Sequence, residues 1–187
     1  MNTDTKAALR SAVFLDRDGV INDHRRFVNG PDDFFLFPYA AKAIAALNHA
    51  HFFVAMVSNQ GGVGLGYMTE GDLVQIHAKM IREIAVAGAH FDALSYCSHA
   101  PKAHCACRKP KPGQILNLAQ RHTLDLGSSY MVGDRDVDIM AGQAAGCKTV
   151  LVGAARLPNE LRPDMHCPNL AAAVEWILSD ALGAPLS

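Results

Sequence analysis

The chain has 187 residues, of which 50% are hydrophobic and 19% are charged, and its formal net charge is −1. This length predicts a single domain spanning residues 1–187 with a substantial core, and the composition excludes a disordered chain, a collagen-like repeat and a coiled coil. The near-neutral charge, the absence of a long apolar run and the lack of a signal-peptide pattern predict a cytoplasmic protein that binds neither nucleic acid nor membranes. We expect a monomer.

Strands and helices alternate along the chain. Apolar runs predict strands at 11–16, 51–58, 91–97, 129–132 and 148–152, and helical patterns are predicted at 38–49, after Thr69, from Pro112, at 136–145 and at 169–182. Asp72 is expected to complete a weak capping box with Thr69, and the glycine-rich segment 61–66 is expected to be a loop. The alternation predicts an α/β fold with a doubly wound parallel sheet, which binds ligands beyond the carboxyl ends of its strands.

Two carboxylates close the first predicted strand. Asp16 and Asp18 are two residues apart, so their side chains point roughly the same way if the strand geometry persists. Like charges this close are unfavourable unless a cation lies between them, and Mg²⁺ prefers such oxygen ligands. Taken alone, the pattern is more typical of a polar turn after a strand.

Three further groups of polar residues follow predicted strands or open a helical segment. They are Ser58-Asn59-Gln60, Arg108-Lys109-Pro110 and the acidic run Gly133 to Asp138. Each has an ordinary explanation when taken alone: a turn serine, a solvated basic pair and an acidic helix start. Their succession in this order, each at the same edge of the predicted sheet, indicates an active site instead.

These motifs resemble those of the haloacid dehalogenase superfamily of phosphohydrolases. Asp16-x-Asp18 resembles the first motif, Ser58 the second, Lys109 the third, and Gly133-Asp134-x-x-x-Asp138 the fourth. The resemblance covers residues 12–152 and implies a Rossmann-like sheet. It also implies that the protein is an enzyme, a phosphoric monoester hydrolase.

The resemblance also implies a role for each matching residue. Asp16 is the nucleophile that forms an aspartyl-phosphate, and Asp18 is the general acid and then the general base. Catalytic Mg²⁺ is held by Asp16, the backbone carbonyl of Asp18 and Asp134. Ser58 and Lys109 contact the transferring phosphoryl oxygens. Asp138, more weakly assigned, orients Lys109 or metal-bound water.

A cluster of cysteines lies in the predicted loop from residue 97 to residue 111. Cys97, His99, Cys105 and Cys107 offer three thiolates and one imidazole, a complete tetrahedral shell for structural Zn²⁺. His104 is a rival for the fourth ligand, and free thiols in a loop are the alternative to a metal site. The pairing of Cys-x-His with Cys-x-Cys favours His99.

This loop narrows the resemblance to the branch that contains heptose 1,7-bisphosphate phosphatases and histidinol-phosphate phosphatases. In that branch the zinc loop shapes the substrate entrance in place of a cap domain. The stretch between the first motif and the second predicted strand is likewise too short here for a separate cap. The implied substrate is a small sugar phosphate, and the implied reaction removes the C7 phosphate of heptose 1,7-bisphosphate for lipopolysaccharide or another surface glycan.

The same resemblance implies the residues that bind the substrate. They are His24, Arg25, Arg26 and Phe27 at the entrance, Asn59, Gln60 and Gly61 after the second predicted strand, and Arg108 and Arg135. Three alternatives stay open: a histidinol-phosphate phosphatase, a phosphatase of nucleic-acid ends, which the neutral charge opposes, and a zinc-stapled binding module without catalysis.

Overall fold

A six-stranded parallel sheet forms the centre of the protein. The computed structural model describes residues 9–24 and 27–183. The strands are β1 (Arg10–Leu15), β2 (Phe53–Asn59), β3 (Ala93–Cys97), β4 (Leu124–Gly133), β5 (Lys148–Val152) and β6 (Met165–Cys167). Their order is β3-β2-β1-β4-β5-β6, with every neighbouring pair parallel. The predicted doubly wound sheet is therefore confirmed, and its order reverses between β1 and β4, where such folds bind their ligands.

Helices connect the strands. They are α1 (Ala40–His49), the single turn α2 (Gly61–Gly64), α3 (Glu70–Ala85), α4 (Gly113–His122), α5 (Asp136–Ala145) and α6 (Leu170–Ala181). The predicted capping box begins α3: Thr69 Oγ1 accepts a hydrogen bond from the Asp72 backbone, and the Asp72 carboxylate accepts one from the Thr69 backbone. Each satisfies an amide that the helix itself leaves without a partner.

The sheet is buried on both faces because its strands carry apolar residues on alternating sides. Val13 and Leu15 pack in the core cluster that includes residues of α1, α3 and α6. Ala12 and Phe14 pack on the opposite face, against residues of α4 and α5. A fully buried leucine or phenylalanine side chain contributes roughly 1.5–3 kcal/mol. Within the described part of the chain, no helix combines the length and the apolar character needed to cross a membrane.

The segment between β1 and β2 is short. Its described residues form a 3-10 turn at Pro31–Asp33 and the helix α1, and both lie against the same core as α3. No separate cap domain is inserted among these described residues, which confirms the prediction. Access to the carboxyl edge of the sheet is therefore shaped by loops.

Three local predictions differ from the structure. The strand β6 was not predicted, because three residues are too short to form a recognisable pattern. Strand β4 begins at Leu124 rather than Ser129, because an irregularity interrupts its pairing with β1 and exposed residues break its apolar run. The glycine-rich segment contains the helical turn α2, in which a side chain on Gly64 would collide with the backbone of residues 98–100.

Candidate active site

Polar side chains converge at the carboxyl edge of β1, β2 and β4. Asp16 follows β1, Ser58 lies at the end of β2, and Asp134 follows β4, since parallel strands bring their carboxyl ends to one edge. Lys109 reaches the same point from the loop before α4. These residues line a small cavity of about 110 Å³. The structure thus brings together residues that are far apart in the sequence, as the strand-end argument expects.

Lys109 is the buried positive charge of the site. Its Nζ lies 2.8 Å from Asp16 Oδ1 and 2.6 Å from Asp138 Oδ1, and it donates to the Val57 carbonyl at 2.7 Å. Burial acts to lower the pKa of Lys109, but the charges of Asp138 and Asp16 outweigh it and raise that pKa. Lys109 therefore stays protonated, with its ammonium in contact with the carboxylates of both Asp16 and Asp138.

Asn59 fixes the backbone of Lys109. Its Nδ2 donates to the Lys109 carbonyl and its Oδ1 accepts from the Lys109 amide, both at 3.0 Å. This two-way pairing sets the direction from which the lysine enters the site. Because both polar ends of the Asn59 side chain are engaged, any contact with substrate has to be made in addition to these bonds.

Three carboxylates, Asp16, Asp134 and Asp138, form an acidic cluster. Their ligand oxygens lie within 4.8 Å of one another. Burial and the charges of Asp16 and Asp138 raise the pKa of Asp134 to about 7. Lys109 contacts the other two carboxylates, whereas Asp134 Oδ1 is buried without a hydrogen-bond partner. A set of hard oxygen ligands with excess negative charge fits Mg²⁺.

The carboxylate of Asp18 lines the same small cavity but is not part of this cluster, and it is held by hydrogen bonds. Arg17 donates to both of its oxygens, Asn22 donates to Oδ1 at 3.1 Å, and Gln60 donates to Oδ2 at 3.0 Å. Burial acts to raise the pKa of Asp18, but the charge of Arg17 and these hydrogen bonds outweigh it and lower that pKa. Gln60 also donates to Ser58 Oγ at 2.8 Å, so one amide links Asp18 to Ser58.

The turn after β1 depends on Gly19. Its φ of +86° lies in the left-handed region, and a side chain there would collide with the carboxylate of Asp134 and the ring of His24. His24 Nε2 lies 3.5 Å from Asp134 Oδ2. Glycine after Asp18 thus lets the first and last acidic motifs approach each other.

The cysteine loop, residues 97–111, brings its four predicted ligands together. Cys97 Sγ lies 3.6 Å from His99 Nδ1 and 3.5 Å from Cys105 Sγ, and Cys107 Sγ lies 3.4 Å from His99 Nδ1. A tetrahedral zinc site with Zn–S bonds of about 2.3 Å has edges of about 3.8 Å, so the spacing and the soft ligands fit Zn²⁺. His104, the rival ligand, is exposed and lines a neighbouring cavity instead.

Two side chains that the sequence analysis did not identify stabilise the cysteine loop, and one of them, Gln114, also ties it to the site. Gln114 is buried, and its Nε2 donates to the carbonyls of Ser58, at 3.3 Å, and Cys107, at 2.9 Å. Lys111 Nζ donates to the Cys105 carbonyl at 2.8 Å. The only sequence signal that could have indicated a role for Gln114 is its position as a polar residue in the first turn of α4. The loop and the end of β2 are therefore mechanically connected.

A larger cavity of about 290 Å³ opens beside the acidic cluster. The predicted substrate contacts found in its wall are His24, Phe27, Asn59, Gln60, Gly61, Arg108 and Arg135. Arg108 crosses the backbone at Gly61, where an added Cβ would lie 3.0 Å from its Nη1. Arg25 and Arg26, also predicted to bind substrate, lie outside the described residues. The cavity combines cationic and apolar walls, and it shares Asp18 and His24 with the smaller one.

Comparison with known proteins gives consistent similarities. A family model described as HAD-hydrolase-like matches residues 106–173. The D-glycero-beta-D-manno-heptose-1,7-bisphosphate 7-phosphatase of Bordetella bronchiseptica is 39% identical over 176 residues, covering 90% of this chain and 98% of that protein. The enzyme of the same name from Helicobacter pylori strain J99 is 33% identical and covers 89% of this chain and 96% of its own.

A solved structure agrees with these similarities. The crystal structure of D,D-heptose 1,7-bisphosphate phosphatase from B. bronchiseptica, complexed with magnesium and phosphate, superposes with a TM-score of 0.82. The two chains are 37% identical, and the match covers 91% of this chain and 99% of the other. The structural similarity therefore extends over most of this chain and nearly all of the other.

Proposed function

Because this chain belongs to the heptose 1,7-bisphosphate 7-phosphatase family of the haloacid dehalogenase superfamily, we propose that it removes the C7 phosphate of D-glycero-D-manno-heptose 1,7-bisphosphate. The products are heptose 1-phosphate and inorganic phosphate. The observation that carries the proposal is the meeting of Asp16, Lys109 and Asp134 at the point where the sheet order reverses, with Lys109 Nζ 2.8 Å from Asp16. The relatives' names specify the β-anomer, which makes it the first substrate to test.

In the first step, a carboxylate oxygen of Asp16 attacks phosphorus in line with the bond to the C7 oxygen. That bond breaks as Asp18 gives a proton to the leaving oxygen; Asp18 must carry that proton at this step, although Arg17 and its hydrogen bonds lower its pKa in the protein without substrate. The Lys109 ammonium and the Ser58 hydroxyl donate to the phosphoryl oxygens, where negative charge is concentrated in the transition state. The heptose 1-phosphate then leaves, and the phosphoryl group remains on Asp16.

In the second step, water hydrolyses the aspartyl-phosphate. Asp18, now a carboxylate, takes a proton from the water as its oxygen bonds to phosphorus. The bond between phosphorus and the Asp16 oxygen breaks, which restores the Asp16 carboxylate and releases phosphate. One residue thus serves as acid and then as base, with its proton returned at the end of the cycle.

The residues proposed to hold Mg²⁺ are Asp16, Asp134 and the backbone carbonyl of Asp18, with Asp138 alongside. When bound, Mg²⁺ supplies positive charge that screens the Asp16 carboxylate from the substrate phosphate. The crystal structure of the B. bronchiseptica enzyme with magnesium and phosphate supports this choice of cation. Zn²⁺ is proposed to be held by Cys97, His99, Cys105 and Cys107 in a structural role, because all four positions are protein ligands.

The two cavities suggest how the substrate lies. The smaller one suits the transferring phosphoryl group, and the larger one beside it suits the sugar. Arg108 and Arg135 line the larger cavity and give it the positive charge that a second phosphate requires. This arrangement favours a bisphosphate over histidinol phosphate, whose amine would face these arginines.

Phosphate release tests the proposed function. The purified protein with Mg²⁺ is given each anomer of heptose 1,7-bisphosphate and, separately, histidinol phosphate. We expect one equivalent of phosphate per heptose, with phosphorus NMR showing that the C1 phosphate is retained. Faster phosphate release from histidinol phosphate than from either heptose anomer would identify the protein as a histidinol-phosphate phosphatase instead. No phosphate release from any of the three substrates would indicate a binding module without catalysis.

A further inference from the structure

Arg17, which lies between the two aspartates of the first motif, is unusual for a charged residue. It is 1% exposed and is among the largest fully buried side chains in the described structure. Burying a guanidinium is unfavourable unless its charge is paired and hydrogen-bonded. Arg17 therefore requires an explanation that a surface arginine does not.

The contacts of Arg17 are directed at Asp18. Its Nε lies 3.1 Å from Asp18 Oδ1, and its Nη2 lies 2.9 Å from Oδ1 and 2.8 Å from Oδ2. This fork grips both oxygens of the carboxylate, which fixes the plane of the carboxylate and not merely its distance. The exposed fraction of the Asp18 side chain is 30%, so the buried arginine holds an acid that faces the open site.

The backbone of the turn supports this grip. The Arg17 carbonyl accepts hydrogen bonds from the amides of Ile21 and Asn22, which closes the turn after β1. Asn22 is fully buried and donates from its side chain to Asp18 Oδ1. Arg17 and Asn22 therefore approach the same carboxylate from within the protein.

The hydrogen bonds are unequally shared between the two oxygens. Oδ1 accepts three bonds, from two nitrogens of Arg17 and one of Asn22, whereas Oδ2 accepts one from Arg17 and one from Gln60. Since Gln60 also reaches Ser58, Oδ2 is the oxygen nearer the phosphoryl site. A proton carried on Oδ2 displaces one of the two donors to that oxygen and leaves the three bonds to Oδ1 in place.

We propose that Arg17 is a positioning residue for proton transfer, holding Asp18 so that Oδ2 meets the leaving oxygen in the first step and water in the second. This inference rests on the proposed function, because it takes Asp18 as the general acid and base. Arg17 is not among the residues that line the smaller cavity, which is proposed to hold the phosphoryl group. Its removal is expected to misplace the proton donor while leaving Asp16, Lys109 and the acidic cluster in place.

The test compares two substrates of the same shape. One is heptose 1,7-bisphosphate, and the other is its analogue with sulfur in place of the bridging oxygen at C7, whose thiolate departs without needing a proton. The measured quantity is kcat/KM, which covers the steps up to departure of the leaving group. The variants are Arg17→Met, Arg17→Lys, Asp18→Asn and, as a control, Arg10→Met, which removes an arginine–aspartate pair at the opposite end of β1.

Positioned general acids contribute typically about 10²–10⁴-fold, so Asp18→Asn should lose at least about 100-fold on the oxygen ester and much less on the sulfur ester. Arg17→Met should likewise lose more kcat/KM on the oxygen ester than on the sulfur ester, with a loss of at least about tenfold on the oxygen ester. The kcat/KM of Arg17→Lys should lie between those of Arg17→Met and wild type, because lysine cannot bind both carboxylate oxygens. Arg10→Met should change both substrates equally. Circular dichroism melting identifies variants that fold, and if Arg17→Met does not fold, Arg17→Lys decides.

Equal losses on both esters in the folded Arg17 variants, or no loss on either, would overturn the inference and leave Arg17 a purely structural residue. Equal losses in Asp18→Asn would instead overturn the general-acid assignment in the proposed function. The two failures are therefore distinguishable in one set of measurements.

Discussion

At the level of single residues, the carboxylates at the ends of β1 and β4 outnumber the lysine that pairs with them. Lys109 Nζ lies 2.8 Å from Asp16 Oδ1 and 2.6 Å from Asp138 Oδ1. The third carboxylate, Asp134, lies beside them, and its burial and these two negative charges raise its pKa. In the absence of a cation this arrangement opposes ionisation of Asp134. The site is thus built to be completed by a divalent ion, at some cost to the stability of the metal-free protein.

Asp134→Asn tests that imbalance. Because the pKa of Asp134 is raised to about 7 in the folded chain, the metal-free fold loses stability as the pH rises from about 4 to about 7, by up to about 1.4 kcal/mol per pH unit, and the full loss is present above pH 7. The metal-free variant should therefore melt at a higher temperature than metal-free wild type at about pH 8, although it has lost a carboxylate. Added Mg²⁺ should raise the melting temperature of wild type and change that of the variant little. A lower melting temperature for the metal-free variant would contradict this account.

His77 should produce a separate pH dependence. It is 5% exposed, and burial, with the charge of Arg17, lowers its pKa to about 4, which Asp18 only partly opposes. Below about pH 6.5 the His77 imidazole binds a proton in the unfolded chain but not in the folded chain. The free energy of unfolding therefore falls as the pH drops from about 6.5 to about 4, by up to about 3 kcal/mol. Urea unfolding should show this loss in wild type and a smaller one in His77→Phe.

The matched control is His90→Gln, because His90 is exposed. It should leave the pH dependence of stability as it is in wild type. If His77→Phe loses as much stability on acidification as wild type does, His77 is not the group responsible.

At the level of elements, the cysteine loop connects the candidate zinc ligands to the candidate active site. It contains Arg108 and Lys109 directly after the last cysteine, and Gln114 bridges the carbonyls of Cys107 and Ser58. We therefore expect a disturbance at the four-ligand cluster to displace both Lys109 and the end of β2. This coupling does not require any change at Asp16.

Cys105→Ser tests that coupling. Replacing one thiolate with a hydroxyl weakens zinc binding, so we expect less than one Zn²⁺ per chain and a loss of at least about tenfold in kcat/KM. Elemental analysis and steady-state kinetics measure the two effects. Cys147→Ala, which removes a buried thiol outside the cluster, should retain zinc. Full activity in a zinc-free Cys105→Ser protein would contradict the proposed coupling, and wild type without zinc would overturn the metal site itself.

The sequence predicts the sheet and the convergence of its strand ends for a physical reason. Buried parallel strands need continuous apolar runs, and polar residues at their ends are then conspicuous, as Asp16, Ser58 and Asp134 are.

The hydrogen-bond partners within the site could not be predicted from the sequence. Asn59 and Lys109 are 50 positions apart and Gln114 and Ser58 are 56 apart, so only the folded chain reveals that they meet. The buried state of Arg17 is likewise hidden, because arginine between two aspartates is typical of an exposed turn.

At the scale of the whole molecule, two different sets of candidate metal ligands lie along one edge of the sheet. Carboxylates after β1 and β4 suit a hard, exchangeable cation, whereas thiolates and an imidazole after β3 suit a soft, structural one. Lys109 lies between the two regions and belongs to both, through Asp16 on one side and the cysteine loop on the other. The open larger cavity then lets a sugar bisphosphate reach this edge without movement of a cap.

The central claim is that Asp16 carries the phosphoryl group during hydrolysis of heptose 1,7-bisphosphate. Phosphate release by the Asp16→Asn variant, in the presence of Mg²⁺ and with folding checked by circular dichroism, tests it most directly. The amide keeps the shape of the side chain but is no longer an anionic nucleophile, so the account predicts no turnover above background from a folded protein. Appreciable steady-state phosphate release from pure Asp16→Asn protein would contradict it.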